Sequence, residues 1–212
     1  MTYSGFRQVR LAKGLSAALL GLFSVACQQS LPEVTPEEGE GVSQVAGPAA
    51  AELLRTLVGR LSGALEQGGP VGAIEFCSTE AIPLTGMVQS GLEEGLGLKR
   101  TSFRYRNPQN APDQAEEAAL LYFEKAIQAG GSVPSSYVQR VSEGEFRYYQ
   151  PLFLGEMCLQ CHGEPESWDP TVRDLLQEKY PGDLANGYAA GDFRGVVRVS
   201  VPASMVAAGY EG

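Results

Sequence analysis

Cys158-Leu159-Gln160-Cys161-His162-Gly163 combines residue types and spacing that point to one specific chemistry. Two thiols three positions apart share a face of a helical turn, where they can add to the two vinyl groups of a porphyrin. The histidine directly after the second cysteine then projects towards the iron as its proximal ligand. This is the attachment signature of a single covalent c-type haem, with thioethers from Cys158 and Cys161 and His162 on the iron. His162 is also the sole histidine in the sequence.

Two other chemistries use parts of the same motif. A dithiol/disulfide redox pair needs C-x-x-C but not the histidine after it, and it usually opens a helix after a strand. Residues 151–156 before the motif have strand character, so that reading stays open. A structural zinc site would take Cys77, Cys158, Cys161 and His162. Adjacent ligands at 161 and 162 suit a tetrahedron poorly, and a second C-x-x-C or H-x-x-x-H is missing.

The elements that must position this motif belong to an ordinary globular composition. The chain has 212 residues, 43% hydrophobic and 19% charged, enough for one well-buried domain. A net charge of −9 argues against nucleic acid, whose binding needs a basic footprint. Arg7, Arg10 and Lys13 precede an apolar run at 15–23 and then Ser24-Val25-Ala26, so residues 1–26 read as an export signal. The run is too short for a membrane span. Cys27 follows as in a bacterial lipobox, with Ser24 where Leu is usual, and is the expected lipidation site of an anchored periplasmic or cell-envelope protein. Residues 28–48 are acidic and rich in Pro and Gly, the composition of a flexible linker. The haem domain is then expected over residues 49–209.

Within it, Leu53, Leu54, Leu57, Val58 and Leu61 form a helical stripe that stops at Gly68-Gly69-Pro70. A second helix opens at Pro70 with Ile74, Cys77 and Ala81 on one face, and Pro83 should bend or end it. Residues 98–106 alternate as a strand, with Arg100, Arg104 and Arg106 on one side and Phe103 and Tyr105 on the other. Those arginines suit haem propionates, or equally a solvated sheet face. A helix over about 113–129, a hairpin over 136–154 turning at Glu143-Gly144, a helix over 170–179, a Gly-rich loop over 180–188 and a strand over 193–201 complete the chain. Helices first, then mostly antiparallel strands, give an α+β class. The all-helical mitochondrial-type cytochromes c are thereby excluded.

Four ordered motifs carry a family resemblance. They are Glu75-Phe76-Cys77-Ser78-Thr79-Glu80-Ala81, the stretch Arg100 to Pro112, the motif Cys158 to Gly163, and Tyr180 to Gly195. Over about residues 50–202 the chain resembles the single-haem c-type proteins with a PAS-like fold known from cyanobacteria and other bacteria. The resemblance implies a PAS-like sheet, haem on Cys158 and Cys161, proximal His162, and Cys77 as the opposite axial ligand. From the residues alone, Cys77 is the soft ligand left unclaimed on an apolar helix face. Met87, Met205, a lysine, water or an empty position remain alternatives, and Met157 is tied beside Cys158. The buried-hydrophobe reading of a free cysteine also stands.

The expected function is redox or small-gas sensing, with CO or NO as ligand and a signalling or redox protein as partner. A periplasmic electron carrier is the alternative, and a thiol-disulfide protein a distant one. No enzyme is expected, because no acid–base pair or activated nucleophile stands out in the sequence.

Overall fold

The computed structural model describes residues 31–207. The expected signal at 1–26 and Cys27 lie outside the described residues, as does the end of the expected domain at 208–209. Among the described residues no helix is long and apolar enough to cross a membrane.

Helix α1 runs over Pro36–Thr79 and α2 over Ala81–Ser90. Strand β1 covers Gly97–Thr101, helix α3 Gln114–Gln128, and strands β2 and β3 Tyr137–Ser142 and Glu145–Phe153. The single turn α4 is Leu159–His162, followed by α5 at Pro170–Lys179, β4 at Phe193–Pro202 and α6 at Ala203–Ala207. The strands form one sheet in the order β1-β4-β3-β2, every neighbour antiparallel. The class is α+β, with N-terminal helices and a four-stranded antiparallel sheet.

The linker expected up to residue 48 is corrected: α1 begins at Pro36. Thr35 Oγ1 accepts from the Glu38 N–H at 3.2 Å while a Glu38 carboxylate oxygen accepts from the Thr35 N–H at 3.0 Å. This capping box, with Pro36 at the first helical position, satisfies two otherwise orphaned donors. Val42, Ala46, Ala49, Ala50, Leu53 and Leu57 recur at helical spacing and are all buried. Their small side chains let the helix lie close on the sheet. Small residues and Gly mimic linker composition, which hides a face built for close approach.

Helix α1 kinks at Gly69, where φ is 60° and ψ −159°, in the left-handed region that favours glycine. The segment after it carries Ile74, Phe76 and Cys77. Pro83 does not end this segment; it sits in the first turn of α2, where its missing N–H costs nothing.

The two faces of the sheet bury different partners, as the period-two alternation of a strand requires. Val197, Val199 and Val201 of β4 join Leu53, Leu57 and Phe146 under α1. Val196 turns the other way and joins Leu120, Phe123 and Tyr149 under α3. Beneath α3 lies a charged layer. Glu116, fully buried, accepts from Lys99 Nζ at 2.6 Å and Arg198 Nε at 3.2 Å.

Strand β1 stops at Thr101, short of the expected 106. Its pairing with β4 ends at Thr101↔Val196. Beyond it, the Tyr105 carbonyl accepts from the Leu184 N–H at 3.2 Å, so the chain pairs with the 183–188 loop instead. The arginine alternation therefore does not lie along one strand face.

Candidate functional site

A cleft of about 270 Å³ opens between the kinked end of α1, the sheet and the cysteine motif. Cys77 and Ile74 from α1, Arg100 from β1, Phe153 from β3 and Arg194 from β4 line it, together with Cys158, Cys161 and His162. Three large apolar residues of its lining stay exposed: Val58 at 50%, Phe153 at 47% and Met157 at 40%. The volume is near the lower edge of small-molecule pockets, roughly 300–1,000 Å³. Such an open-sided cleft suits a flat group with one edge at the surface.

The motif is held by backbone as much as by side chains. Cys158 precedes the one-turn α4, so Cys158 and Cys161 reach the cleft from adjacent turns. Gly163 ends the turn, and a Cβ there would stand 2.7 Å from the Leu159 carbonyl oxygen, a close approach that only glycine allows. The 183–188 loop is zipped to this turn: the Gly187 N–H donates to the Gly163 carbonyl at 2.8 Å and the Tyr188 N–H to the His162 carbonyl at 3.0 Å. Trp168 Nε1 donates to the Leu159 carbonyl at 3.3 Å from the other side.

His162 Nδ1 lies 2.6 Å from the Ala185 carbonyl oxygen. A carbonyl has no proton to give, so Nδ1 carries the hydrogen and Nε2 keeps its lone pair. That is the tautomer a metal-ligating imidazole needs, with its orientation fixed by the second ring nitrogen. Desolvation, and then the charges of Arg106 and Arg194, hold the imidazole well below the usual histidine pKa, so it is neutral at neutral pH. Arg106 fixes the acceptor in turn. Its Nη2 donates to the Cys161 carbonyl at 2.5 Å and the Ala185 carbonyl at 3.1 Å, and Nε donates to Asp183 at 3.1 Å.

Cys77, Cys158 and Cys161 are free thiols that reach the cleft surface and are therefore half-buried rather than sealed. Burial pushes the Cys161 thiol up to about 11, with Arg106 opposing and the neighbouring Cys77 and Cys158 adding to the rise. Burial likewise raises Cys77, against Arg100 and Arg106. A raised thiol pKa works against a nucleophilic redox pair, which needs thiolate at neutral pH. Among the described residues no group of three or more His, Cys, Asp or Glu side chains could hold a metal ion, so the four zinc candidates share a cleft without forming a chelating site.

The residues present fit an iron porphyrin. Two thiols, an imidazole with a free Nε2 and a third thiol converge on an apolar, open-sided cleft. Of the other axial candidates, Met87 is 65% exposed and outside the cleft, and Met205 packs in the main core. No lysine lines the cleft, and Met157 lies at its mouth.

The arginines divide. Arg100 lines the cleft; Arg106 lines it but is committed to Asp183 and two carbonyls. Arg104 lies outside it, donating to the Leu184 carbonyl at 3.2 Å with its guanidinium 3.8 Å from the Tyr188 ring centroid. Of the three arginines expected on one strand face, Arg100 and Arg106 therefore reach the cleft and Arg104 does not, because the backbone turns away after Thr101. Arg194, Asp183 and the Ala185 carbonyl were missed. Arg194 lies in the Asp192-Phe193-Arg194-Gly195 motif and could have been weighed; a backbone carbonyl has no side-chain signature.

Residues 28–202 match the family described as Tll0287-like. The chain belongs to this family. Among solved structures, the Tll0287-like chain is similar to the crystal structure of the cyanobacterial heme-protein Tll0287, with a TM-score of 0.54 and 24% identity. The match covers 79% of this chain and 96% of that one, and shows a shared fold. No curated protein sequence matches the chain.

Proposed function

We propose that this protein is an exported haem protein in which Cys158 and Cys161 carry one c-type haem, His162 and Cys77 are its axial ligands, and ligation responds to redox state or to a small gas such as CO or NO. The observation that carries the reading is the His162 Nδ1 hydrogen bond to Ala185, which prepares Nε2 as a ligand beside two thiols at attachment spacing. Membership of the Tll0287-like family, whose solved relative is a heme-protein, supports it. A bound haem supplies a one-electron couple and, at an open axial position, a site for a diatomic gas.

The two axial residues are held differently. His162 is tied at Nδ1 to a carbonyl that Arg106 also grips. Cys77 rides on the segment after the Gly69 kink and has no comparable anchor. Burial raises the free Cys77 thiol, so with a haem bound Cys77 would be the more readily released of the two ligands and could take up a proton at Sγ, while His162 would be retained. The role is signalling rather than turnover, with a redox or signalling protein as partner. Export through residues 1–26 and a lipid on Cys27 would place it in the periplasm or cell envelope, lipid-anchored.

The exposed mouth at Val58, Phe153 and Met157 favours a second reading, an electron carrier whose haem edge meets its partner. Gas titration separates the two. Tight CO or NO uptake by the ferrous protein with loss of an axial ligand supports sensing. Fast outer-sphere exchange with unchanged ligation and no gas uptake contradicts sensing and selects the carrier.

A further inference from the structure

Two cations in the cleft have no carboxylate among the described residues. Arg106 is neutralised by Asp183 at 2.9 Å, but Arg100 and Arg194, on the neighbouring strands β1 and β4, form no ion pair there. Arg100 Nε is buried without any hydrogen-bond partner. Its Nη2 makes only a long 3.4 Å bond to the Ala81 carbonyl. The nearest aromatic contact of Arg194 is a distant one, 5.7 Å from its guanidinium carbon to the Tyr188 ring centroid. Burial lowers the pKa of both, against Cys77 and Tyr180 at Arg100; at Arg194 Tyr188 and Asp183 oppose the shift while Arg106 and Arg100 add to it. A desolvated cation costs stability unless an anion meets it.

Cys158 packs against Leu154 and Tyr188, and Cys161 against Ile74 and Trp168. Cys158 directly follows Met157, which with Phe153 forms the exposed mouth. A guanidinium fork recognises a carboxylate through two parallel hydrogen bonds. Resting on the haem reading above, we infer that Arg100 and Arg194 together would bind the porphyrin's two carboxylate side chains. The same two charges favour the reduced, less positive iron and raise its potential against the pull of a thiolate ligand. At the effective dielectric of a half-buried site, one unit charge within about 10 Å shifts a one-electron equilibrium on the order of tenfold.

The test compares haem-loaded full-length protein with Arg194→Gln, Arg100→Gln, Arg194→Lys and Arg55→Gln at pH 8, where an exposed carboxylate is ionised. Arg55 is the control, since it removes the same charge from a side chain 72% exposed. Arg194→Gln should lower the potential by about 59 mV, a tenfold change, and shift the propionate bending bands in the resonance Raman spectrum. Arg194→Lys should hold the potential near wild type but still shift those bands. Arg55→Gln should change neither. If Arg100→Gln fails to fold, the Arg194 pair decides alone. Unchanged potential and bands in Arg194→Gln overturn the inference, and so does a lowered potential with unchanged bands, which would mean charge acting without contact. Absence of covalent haem from the wild type instead sinks the haem reading itself.

Discussion

Replacing Arg106 by Met tests how much one arginine contributes to holding the His162 turn against the 183–188 loop. The Arg106 and Asp183 side chains are 10% and 11% exposed, so their ion pair is largely desolvated. Removal leaves Asp183 with the Ala185 N–H at 2.8 Å and strips the Cys161 and Ala185 carbonyls of a charged donor. Breaking a buried pair by deleting one partner costs about 3–5 kcal/mol. The carbonyl bonds belong to the same network and are not added separately. For a domain of this size each kcal/mol moves the melting temperature by about 2–4 °C, so the expected drop is about 6–20 °C. Thermal unfolding followed by circular dichroism reads it directly. Arg106→Lys keeps the charge but loses the planar fork and should recover less than half of the loss. A loss below about 1 kcal/mol, the worth of a surface ion pair, would refute the reasoning.

Three further outcomes are expected. Glu116→Ala strands Lys99 and Arg198 beneath α3 and breaks its capping box, and should cost about 3–5 kcal/mol in urea unfolding; a loss under ~1 kcal/mol would show that the buried charge is idle. Burial opposes the Asp113 and Glu145 carboxylates, but hydrogen bonds and Arg147 outweigh it and leave both below their ordinary values. Groups depressed on folding contribute stability above their unfolded pKa and lose it as pH falls through the folded one, so the melting temperature should decline below about pH 4; Arg147→Met should flatten that decline, and an equally steep decline would contradict the assignment. Cys77→Ser should keep the thioether-linked haem, shift the ferric Soret band and raise the potential by at least a tenfold change in the one-electron equilibrium, about 59 mV; a wild-type spectrum and potential would return Cys77 to the role of a wall residue.

How much of this was legible depended on whether the deciding physics was local. Asp113 with Glu116 three residues on is a local cap, and α3 starts where that box predicts. Glu143-Gly144 between alternating runs gave the β2–β3 turn, and α5 starts at the expected Pro170, where Asp169 caps it. The same logic applied to Thr35-Pro36-Glu37-Glu38 would have found the start of α1, but the Gly- and Pro-bearing stretch beyond it read as linker. Its buried face of Val42, Ala46 and Ala50 is too small to stand out as hydrophobic, and is small because the sheet lies close. At the site, Cys158, Cys161 and His162 stood out by type and spacing, whereas Cys77 was pointed to by the family resemblance and by being the soft ligand left unclaimed on an apolar helix face. The separation of Arg104 from Arg100 and Arg106 was not legible, because a non-local pairing between Tyr105 and Leu184 decides it.

The proposed function stands on Cys158 and Cys161 carrying haem through two thioether bonds with His162 on the iron. The most direct measurement is the pyridine haemochrome spectrum of the full chain matured with c-type haem machinery, recorded beside a Cys158→Ser/Cys161→Ser variant. The wild type should show an α band at the position of a haem with both vinyl groups saturated, resistant to acid–acetone extraction, and the variant should show no such band. A wild-type spectrum of extractable haem with intact vinyls, or no haem at all, would contradict the proposed function.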